Sequence, residues 1–353
     1  MDFVFEELVA YAASRQASDI FLRQNAQPMI RVHGAVEPSH FPTLTANDTR
    51  EVAYSIMTPK QAAKFEDYPE MDVGFTVGEL TRLRVNIFQE RGGVGLVMRL
   101  IPLEVRTIDE LLLPSILKDL VRRKMGLILV TGPTGCGKST TLAAMIDEIN
   151  ETRACNIVTI EDPIEYVHRD KSAIMMQREV AIDTVSFTDA LKYIVRQSPD
   201  VILIGEMRDV ETFSIAMAAA ETGHLVFSTV HTRSAAETLD RIINMFPPHD
   251  KPQICMRLSE SLVANVAQKL IPRVDGLGRA AAMEIMIVTP TIAKLIDEGR
   301  PGEVYSQIRE GQFWGMQTMN QSLDALVKQG IISEEDALLN AGNLTELRQM
   351  LRR

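Results

Sequence analysis

The chain has little cysteine, few aromatic residues, no excess of positive charge and no long apolar run. Its three cysteines, Cys136, Cys155 and Cys255, stand far apart with no Cys-x-x-Cys pair, which excludes a disulfide framework and a four-thiolate zinc site. No stretch approaches the roughly 18 uninterrupted apolar residues of a membrane span, so no transmembrane segment is expected. The opening Met1-Asp2-Phe3-Val4-Phe5-Glu6-Glu7 places no basic region before an apolar core, which argues against a secretory leader and for a cytoplasmic protein. Lys and Arg number 37 against 47 Asp and Glu, a net charge of -10, and aromatic residues make up 5% of the chain. Neither a basic footprint for phosphate backbones nor an aromatic-interleaved groove for bases is present, and nucleic acid is not an expected partner.

What is present is an ordinary globular composition, 46% hydrophobic and 24% charged over 353 residues, long enough that two domains are the natural expectation. Phe5, Leu8, Val9 and Ala12 mark one face of an opening helix. Residues 18–23, 29–32, 73–77 and 82–88 read as short strands, the last with Leu83, Val85 and Ile87 on one side and Arg82, Arg84 and Asn86 on the other. Helix plus antiparallel sheet is the expected α+β fold of residues 1–100. Residues 101–114, bounded by Pro102 and Pro114, read as a linker, and a second domain is expected over 115–353. There the pattern becomes buried strand, polar turn, helix, with strands at 127–130, 157–160, 201–204 and 225–230. Each ends on a polar group, as ligand sites at the carboxyl ends of a parallel sheet require. Phe187, Leu191, Ile194 and Val195 share a helical face, residues 211–221 read as a helix, residues 254–270 continue the helical series, and the tail from Asn320 to Met350 is largely helical.

The strand at 127–130 runs into Gly132-Pro133-Thr134-Gly135-Cys136-Gly137-Lys138-Ser139-Thr140, a P-loop, and Leu142, Ile146 and Ile149 then repeat at helical spacing. The glycines let backbone N–H groups converge on phosphate oxygens, Lys138 adds a point charge, and the Ser139 hydroxyl offers a Mg²⁺ ligand. A nucleoside triphosphate, ATP with Mg²⁺, is the expected ligand. Cys136 reads as a small packing residue within the loop. Asp200-Val-Ile-Leu-Ile-Gly-Glu206 has the form of a second nucleotide-binding element, which makes Glu206 the candidate carboxylate for the metal or its waters. Glu161, Asp162 and Glu165 crowd a turn held by Pro163, and any one of them is placed to orient an attacking water. His224 and His231 bracket one strand at opposite ends, which disfavours a shared metal; His231, at the carboxyl end, is the better placed to sense phosphate. Arg82, Arg84, Arg91 and Arg99 cluster in the N-terminal part, and phosphoryl transfer gains from positive charge brought in from elsewhere.

Together with Thr159-Ile-Glu-Asp-Pro-Ile-Glu165, Gln177-Arg-Glu179, Ile204-Gly-Glu-Met-Arg-Asp209 and Glu221-Thr-Gly-His-Leu-Val-Phe-Ser-Thr-Val-His231, the loop resembles the type IV pilus retraction ATPases, the PilT and PilU group of the secretion ATPase superfamily. The likeness runs from Ser18-Asp19-Ile20 and Arg82-Leu-Arg-Val-Asn86 to Gly315-Met-Gln-Thr-Met319. It implies a PAS-like N-terminal domain and a RecA-like ATPase domain with a helical C-terminal segment. The implied assembly is a cytoplasmic homohexamer beneath an inner-membrane platform protein of the pilus machinery. It puts the catalytic glutamate on Glu165, the Walker B glutamate on Glu206 and the His box on His224 and His231, with N-terminal arginines approaching nucleotide across a domain or subunit boundary. Where the family carries Ala-Ile-Arg-Asn-Leu-Ile after Thr-Pro, this chain has Thr291-Ile-Ala-Lys-Leu-Ile296 after Thr289-Pro290. Three alternatives to the principal retraction motor stay open: an accessory paralogue working with another pilus ATPase, which this departure suggests, an assembly or type II secretion motor, and, least favoured, a DNA translocase. The second is opposed by the missing four-cysteine insertion.

Overall fold

The computed structural model describes residues 3–32, 34–101 and 104–352, so Pro102 of the expected linker and the first two residues of the opening segment lie outside it. By its contacts the chain divides into two units, Met1–Val105 with Pro163–Val167, and Arg106–Asp162 with His168–Arg353.

In the first unit Phe5, Leu8, Val9 and Ala12 form the buried face of α1 (Phe5–Ser14). Strands β1 (Asp19–Leu22), β2 (Met29–Val32) and β3 (Ala35–Pro38) follow. Helices α2 (Ala46–Ile56) and α3 (Pro59–Asp67) each start behind a threonine, Thr45 and Thr58. The threonine accepts the N–H three residues on, and the side chain there returns to the threonine N–H; two orphan donors are satisfied at each start. Strands β4 (Glu70–Val77), β5 (Thr81–Glu90) and β6 (Gly93–Ile101) complete a six-stranded sheet in the order β3-β2-β1-β6-β5-β4. All its pairs are antiparallel. The alternation read in the sequence holds: Leu83, Val85 and Ile87 are fully buried, while Arg82 and Arg84 occupy the opposite face. Strands β3 and β6 and helices α2 and α3 were not among the expected elements.

The second unit opens with α4 (Ile116–Leu120) and β7 (Gly126–Thr131), every residue of which is buried. Helix α5 (Lys138–Thr152) buries Leu142, Ile146 and Ile149 as their spacing predicts. Then come β8 (Asn156–Glu161), β9 (Ile174–Glu179), α6 (Phe187–Ile194), β10 (Val201–Ile204), α7 (Val210–Glu221), β11 (Leu225–Val230), α8 (Ala235–Met245), α9 (Lys251–Ser261), β12 (Leu262–Pro272) and β13 (Arg279–Ile287). The seven strands run in the order β13-β12-β7-β11-β10-β8-β9, parallel throughout except where β12 meets β13. Burying one Leu or Ile of such a strand contributes about 1.5–3 kcal/mol, which is why a strand covered on both faces is a continuous apolar run.

Two expectations are corrected. Residues 254–270 are not one helix: α9 stops at Ser261, and Leu262 begins a strand hydrogen-bonded to β7 on one side and β13 on the other. Pairing on both edges outweighs the helical spacing of Ile254, Leu258 and Leu262. Val195 does not share the buried face of α6; it caps the helix and is exposed. The tail is helical, as expected. After α10 (Pro290–Asp297) and α11 (Val304–Glu310), helices α12 (Met319–Lys328), α13 (Glu334–Asn340) and α14 (Leu344–Leu351) bury Leu323, Leu326, Ala337 and Leu347 against Ile271, Ala280 and Ala282 of β12 and β13. Among the described residues no helix is long and apolar enough to cross a membrane.

Candidate functional site

The loop after β7 is shaped by its glycines. Gly132, Gly135 and Gly137 have φ of 144°, 79° and 89°, a region that L side chains rarely enter. A Cβ on Gly132 would lie 2.5 Å from the Gln268 carbonyl oxygen, whereas one on Gly135 would meet nothing within 4 Å. Helix α5 starts at Lys138 with no side chain capping it and no acidic residue in its first turn, so the positive end of its dipole is left for an anion. The Lys138 Nζ is buried and donates to the carbonyls of Gly132 at 2.9 Å and Pro133 at 3.2 Å. Pro133, Thr134, Gly135 and Ser139 are exposed, Cys136 is buried, and Thr140 is half-buried. Desolvation raises the Cys136 thiol above its ordinary value, so the side chain packs as a neutral thiol, as its reading in the sequence predicts.

Four neighbouring parallel strands, β7, β11, β10 and β8, end at this edge, and they bring the loop, His231, Glu206 and Glu161 to it. The Glu206 carboxylate accepts from Arg208 Nη2 at 2.7 Å and pairs with His231 Nε2 at 3.1 Å. Burial pushes its acidity toward the neutral form, but the Arg208 hydrogen bond and charge, aided by His231 and Lys138, hold it below the usual carboxylate range. Desolvation and the Lys138 charge lower His231, against a smaller pull from Glu206. At neutral pH His231 is therefore uncharged, with its Nε2 beside the Glu206 carboxylate. Arg241 Nη1 donates to the His231 carbonyl at 3.0 Å and fixes the backbone that carries the imidazole. A cavity of about 340 Å³ is lined by Pro133, His231, Thr232, Arg233 and Glu237.

Among the described residues no three His, Cys, Asp or Glu side chains converge as a metal cage. A Mg²⁺ ion is held by one or two protein oxygens with phosphate and water supplying the rest. The exposed Ser139 hydroxyl and the Glu206 carboxylate are oxygen donors of the kind required.

Glu161 Oε1 accepts from Thr159 Oγ1 at 2.7 Å and Gln177 Nε2 at 3.1 Å. The segment Pro163–Val167 belongs by its contacts to the first unit. Arg82 Nε donates to the Ile164 carbonyl at 2.7 Å, and Arg84 Nη1 meets Glu165 Oε1 at 3.2 Å. Of the four N-terminal arginines these two reach the acidic turn. Arg99 instead pairs with Asp19 at 3.3 Å, opposite it in the β1–β6 ladder, where Arg31 also binds Asp19. Arg91 sits in the β5–β6 turn at φ 51°, its carbonyl accepting from Gln24 Nε2 at 3.2 Å. His224 is not brought to the phosphate loop of its own chain. It precedes β11 at the opposite end from His231, beside Gly126, with Nδ1 2.9 Å from the Ala219 carbonyl. Arg208, Arg241, Thr141 and Gln268 surround this site without having been singled out in the sequence. Only Arg208 had a local signal, two residues after Glu206.

The profile of the family described as type II/IV secretion system protein matches residues 2–339. The chain is 48% identical over 331 residues to the type IV pilus retractation ATPase PilT of Pseudomonas aeruginosa, covering 94% of this chain and 96% of that one. It is 42% identical over 348 residues to the type IV pilus ATPase PilU of the same organism, covering 99% and 91%. A crystal structure of the pilus retraction motor PilT with bound ADP superposes with a TM-score of 0.91 at 45% identity, covering 99% of this chain and all of that one. The α/β fold expected from the sequence, an α+β N-terminal part followed by a mainly parallel ATPase sheet and a helical tail, is the fold of that motor.

Proposed function

The chain belongs to the type II/IV secretion system protein family, in its PilT and PilU group, and on that premise we propose that it is an ATP-hydrolysing motor that powers type IV pilus retraction and hence twitching motility. The observation that carries the reading is the meeting of Lys138, His231 and Glu206 at the carboxyl ends of three adjoining parallel strands. In this reading the backbone of Gly132 to Thr140 and the Lys138 ammonium hold the phosphates of ATP, and Ser139 and Glu206 hold Mg²⁺, Glu206 directly or through water. A metal held by these oxygens would supply positive charge against the phosphates. Uncharged His231, beside Glu206, is free of the charge that would compete with the metal. Glu165 orients the attacking water and accepts its proton. Arg82, Arg84, Arg91 and Arg99 are the candidates for the arginine that meets the transition state, with Arg82 and Arg84 favoured because they already bind the acidic turn. His224, at the far end of β11, is assigned to a neighbouring subunit's nucleotide or to the support of α7. A homohexamer on the platform protein at the inner membrane is the assembly this motor takes.

Deleting the gene tests the reading. Twitching lost with surplus surface pili is the expected outcome; bald cells would make the chain an assembly motor instead. A second reading, an accessory retraction ATPase, is favoured by the Ala293-Lys294 pair on α10, where an Arg-Asn pair is expected. It predicts that the purified chain hydrolyses ATP while retraction still fails without a paralogue.

A further inference from the structure

A planar trans peptide carries its C=O and N–H on opposite sides. A loop that turns N–H groups toward phosphate therefore turns carbonyls into the protein, where each needs a donor. Lys138 serves the carbonyls of Gly132 and Pro133. The carbonyl of Cys136 is served by Gln268, a buried residue of β12, whose Nε2 donates to it at 2.7 Å. The other end of that amide accepts from Thr141 Oγ1, also at 2.7 Å. With Thr141 donating to Oε1, the end that faces the loop is the donor, Nε2. The fit is close on both sides: a Cβ on Gly137 would lie 2.9 Å from Gln268 Nε2, and one on Gly132 would lie 2.5 Å from the Gln268 carbonyl oxygen.

We propose that Gln268 is a positioning residue of the phosphate loop: by holding the Cys136 carbonyl on the β12 side, it aims the Gly137 N–H to the opposite side, where a nucleotide's phosphate is bound, and Thr141 locks the amide that does so. The contact spans 132 residues of sequence and is made from the strand beside β7. The inference rests on the nucleotide reading above.

Isothermal titration of the full chain with ADP, beside thermal unfolding, tests it. Gln268→Met keeps the length and removes both polar ends; leaving a buried carbonyl without its donor should weaken ADP binding about 10- to 100-fold. Gln268→Glu should bind weakly at about pH 9, where a carboxylate faces the Cys136 carbonyl. It should recover near pH 6 as the desolvated carboxyl takes a proton and donates, while the Met variant stays weak at both. Thr141→Val frees the amide to turn and should weaken ADP binding about 3- to 10-fold. A folded Met variant that binds ADP like wild type, or a Glu variant with no pH response of its own, would overturn the proposal. If the Met variant does not fold, unchanged binding by Thr141→Val overturns it. Wild type failing to bind ADP would instead sink the nucleotide reading itself.

Discussion

The phosphate loop contains two glycines whose replacement by alanine should fail for opposite reasons. At Gly132, φ is 144° and the new Cβ would lie 2.5 Å from a backbone oxygen of β12 and 2.6 Å from Cys136 Sγ. Neither neighbour yields cheaply, because one is strand backbone and the other is buried. Backbone strain of about 1–3 kcal/mol and overpacking of about 1–3 kcal/mol together give a loss of roughly 2–6 kcal/mol, read as a large drop in Tm with or without nucleotide. At Gly135, φ is 79° and no atom lies within 4 Å of the new Cβ. Only the left-handed backbone is strained, at about 1–2 kcal/mol, which lowers Tm by roughly 1–3 °C in a chain of this size. The methyl nevertheless points into open space at the mouth of the loop, where a phosphate must approach backbone closely. Gly135→Ala should therefore stay folded and lose ADP binding by at least about tenfold, whereas Gly132→Ala should lose stability first. Scanning calorimetry with and without ADP separates the two. A stable Gly135→Ala chain that binds ADP with wild-type affinity would refute the placement of the ligand over that glycine.

Three further outcomes follow from the charges. Glu165→Gln should keep ATP binding and abolish turnover in a coupled phosphate-release assay; unchanged hydrolysis would move the base to Glu161 or another carboxylate. Because the Lys138 charge is among the causes that lower His231, Lys138→Met should raise the His231 titration midpoint measured by NMR. The native state binds fewer protons at His231 than the unfolded chain, so its contribution to stability is present above about pH 6.5 and lost as pH falls through the depressed native value; a midpoint that does not move would contradict the proximity. Glu284, buried on β13 and accepting from the Ala235 N–H at 2.8 Å, is shifted the other way, raised chiefly by desolvation. Its contribution is present below about pH 4.5 and lost as pH rises through the raised native value. Glu284→Gln should flatten that part of the Tm-against-pH curve, and an unchanged slope would show that the carboxyl ionises freely.

Legibility in the sequence follows the range of the forces. The phosphate loop could be read because its strand, its three left-handed glycines, Lys138 and the first turn of α5 are all fixed within residues 126–142. Strands β7, β8, β10 and β11 could be read because burial on both faces leaves mostly apolar side chains, with Thr159, Ser228 and Thr229 among the buried exceptions. Strand β12 could not, because Leu258 and Leu262 keep helical spacing across the point where pairing with β7 and β13 takes over. Arg82 and Arg84 were legible as the charged face of a strand, and all four arginines as an N-terminal cluster, but not their partners. Arg84 meets Glu165 81 residues away, and Arg99 meets Asp19 80 residues away, and nothing local tells one from the other. Gln268 is the extreme case: a glutamine within a strand looks like a solvent-facing position until its two partners, Cys136 and Thr141, are in place.

The contacts already made by the charged groups bear on which ligands the site admits. Lys138 gives two hydrogen bonds to loop carbonyls, and Glu206 receives one from Arg208 and has His231 Nε2 3.1 Å away. A ligand that draws Lys138 away must offset hydrogen bonds from a charged donor, worth about 1.5–3 kcal/mol each when buried. A neutral or singly charged group supplies too little. A polyphosphate carries several charges and meets, in one stroke, the Lys138 ammonium and the uncapped N-terminus of α5. The Arg208 contact is different in kind: its guanidinium is largely exposed, so solvent and salt screen it and its surrender costs little, about 0.2–1 kcal/mol. The carboxylate at the end of β10 is thus held ionised by a partner it can easily give up, whereas the ammonium of the loop is held by partners that only a highly charged anion displaces. On the proposed reading, selectivity for polyphosphate then arises at Lys138, and readiness for a metal at Glu206.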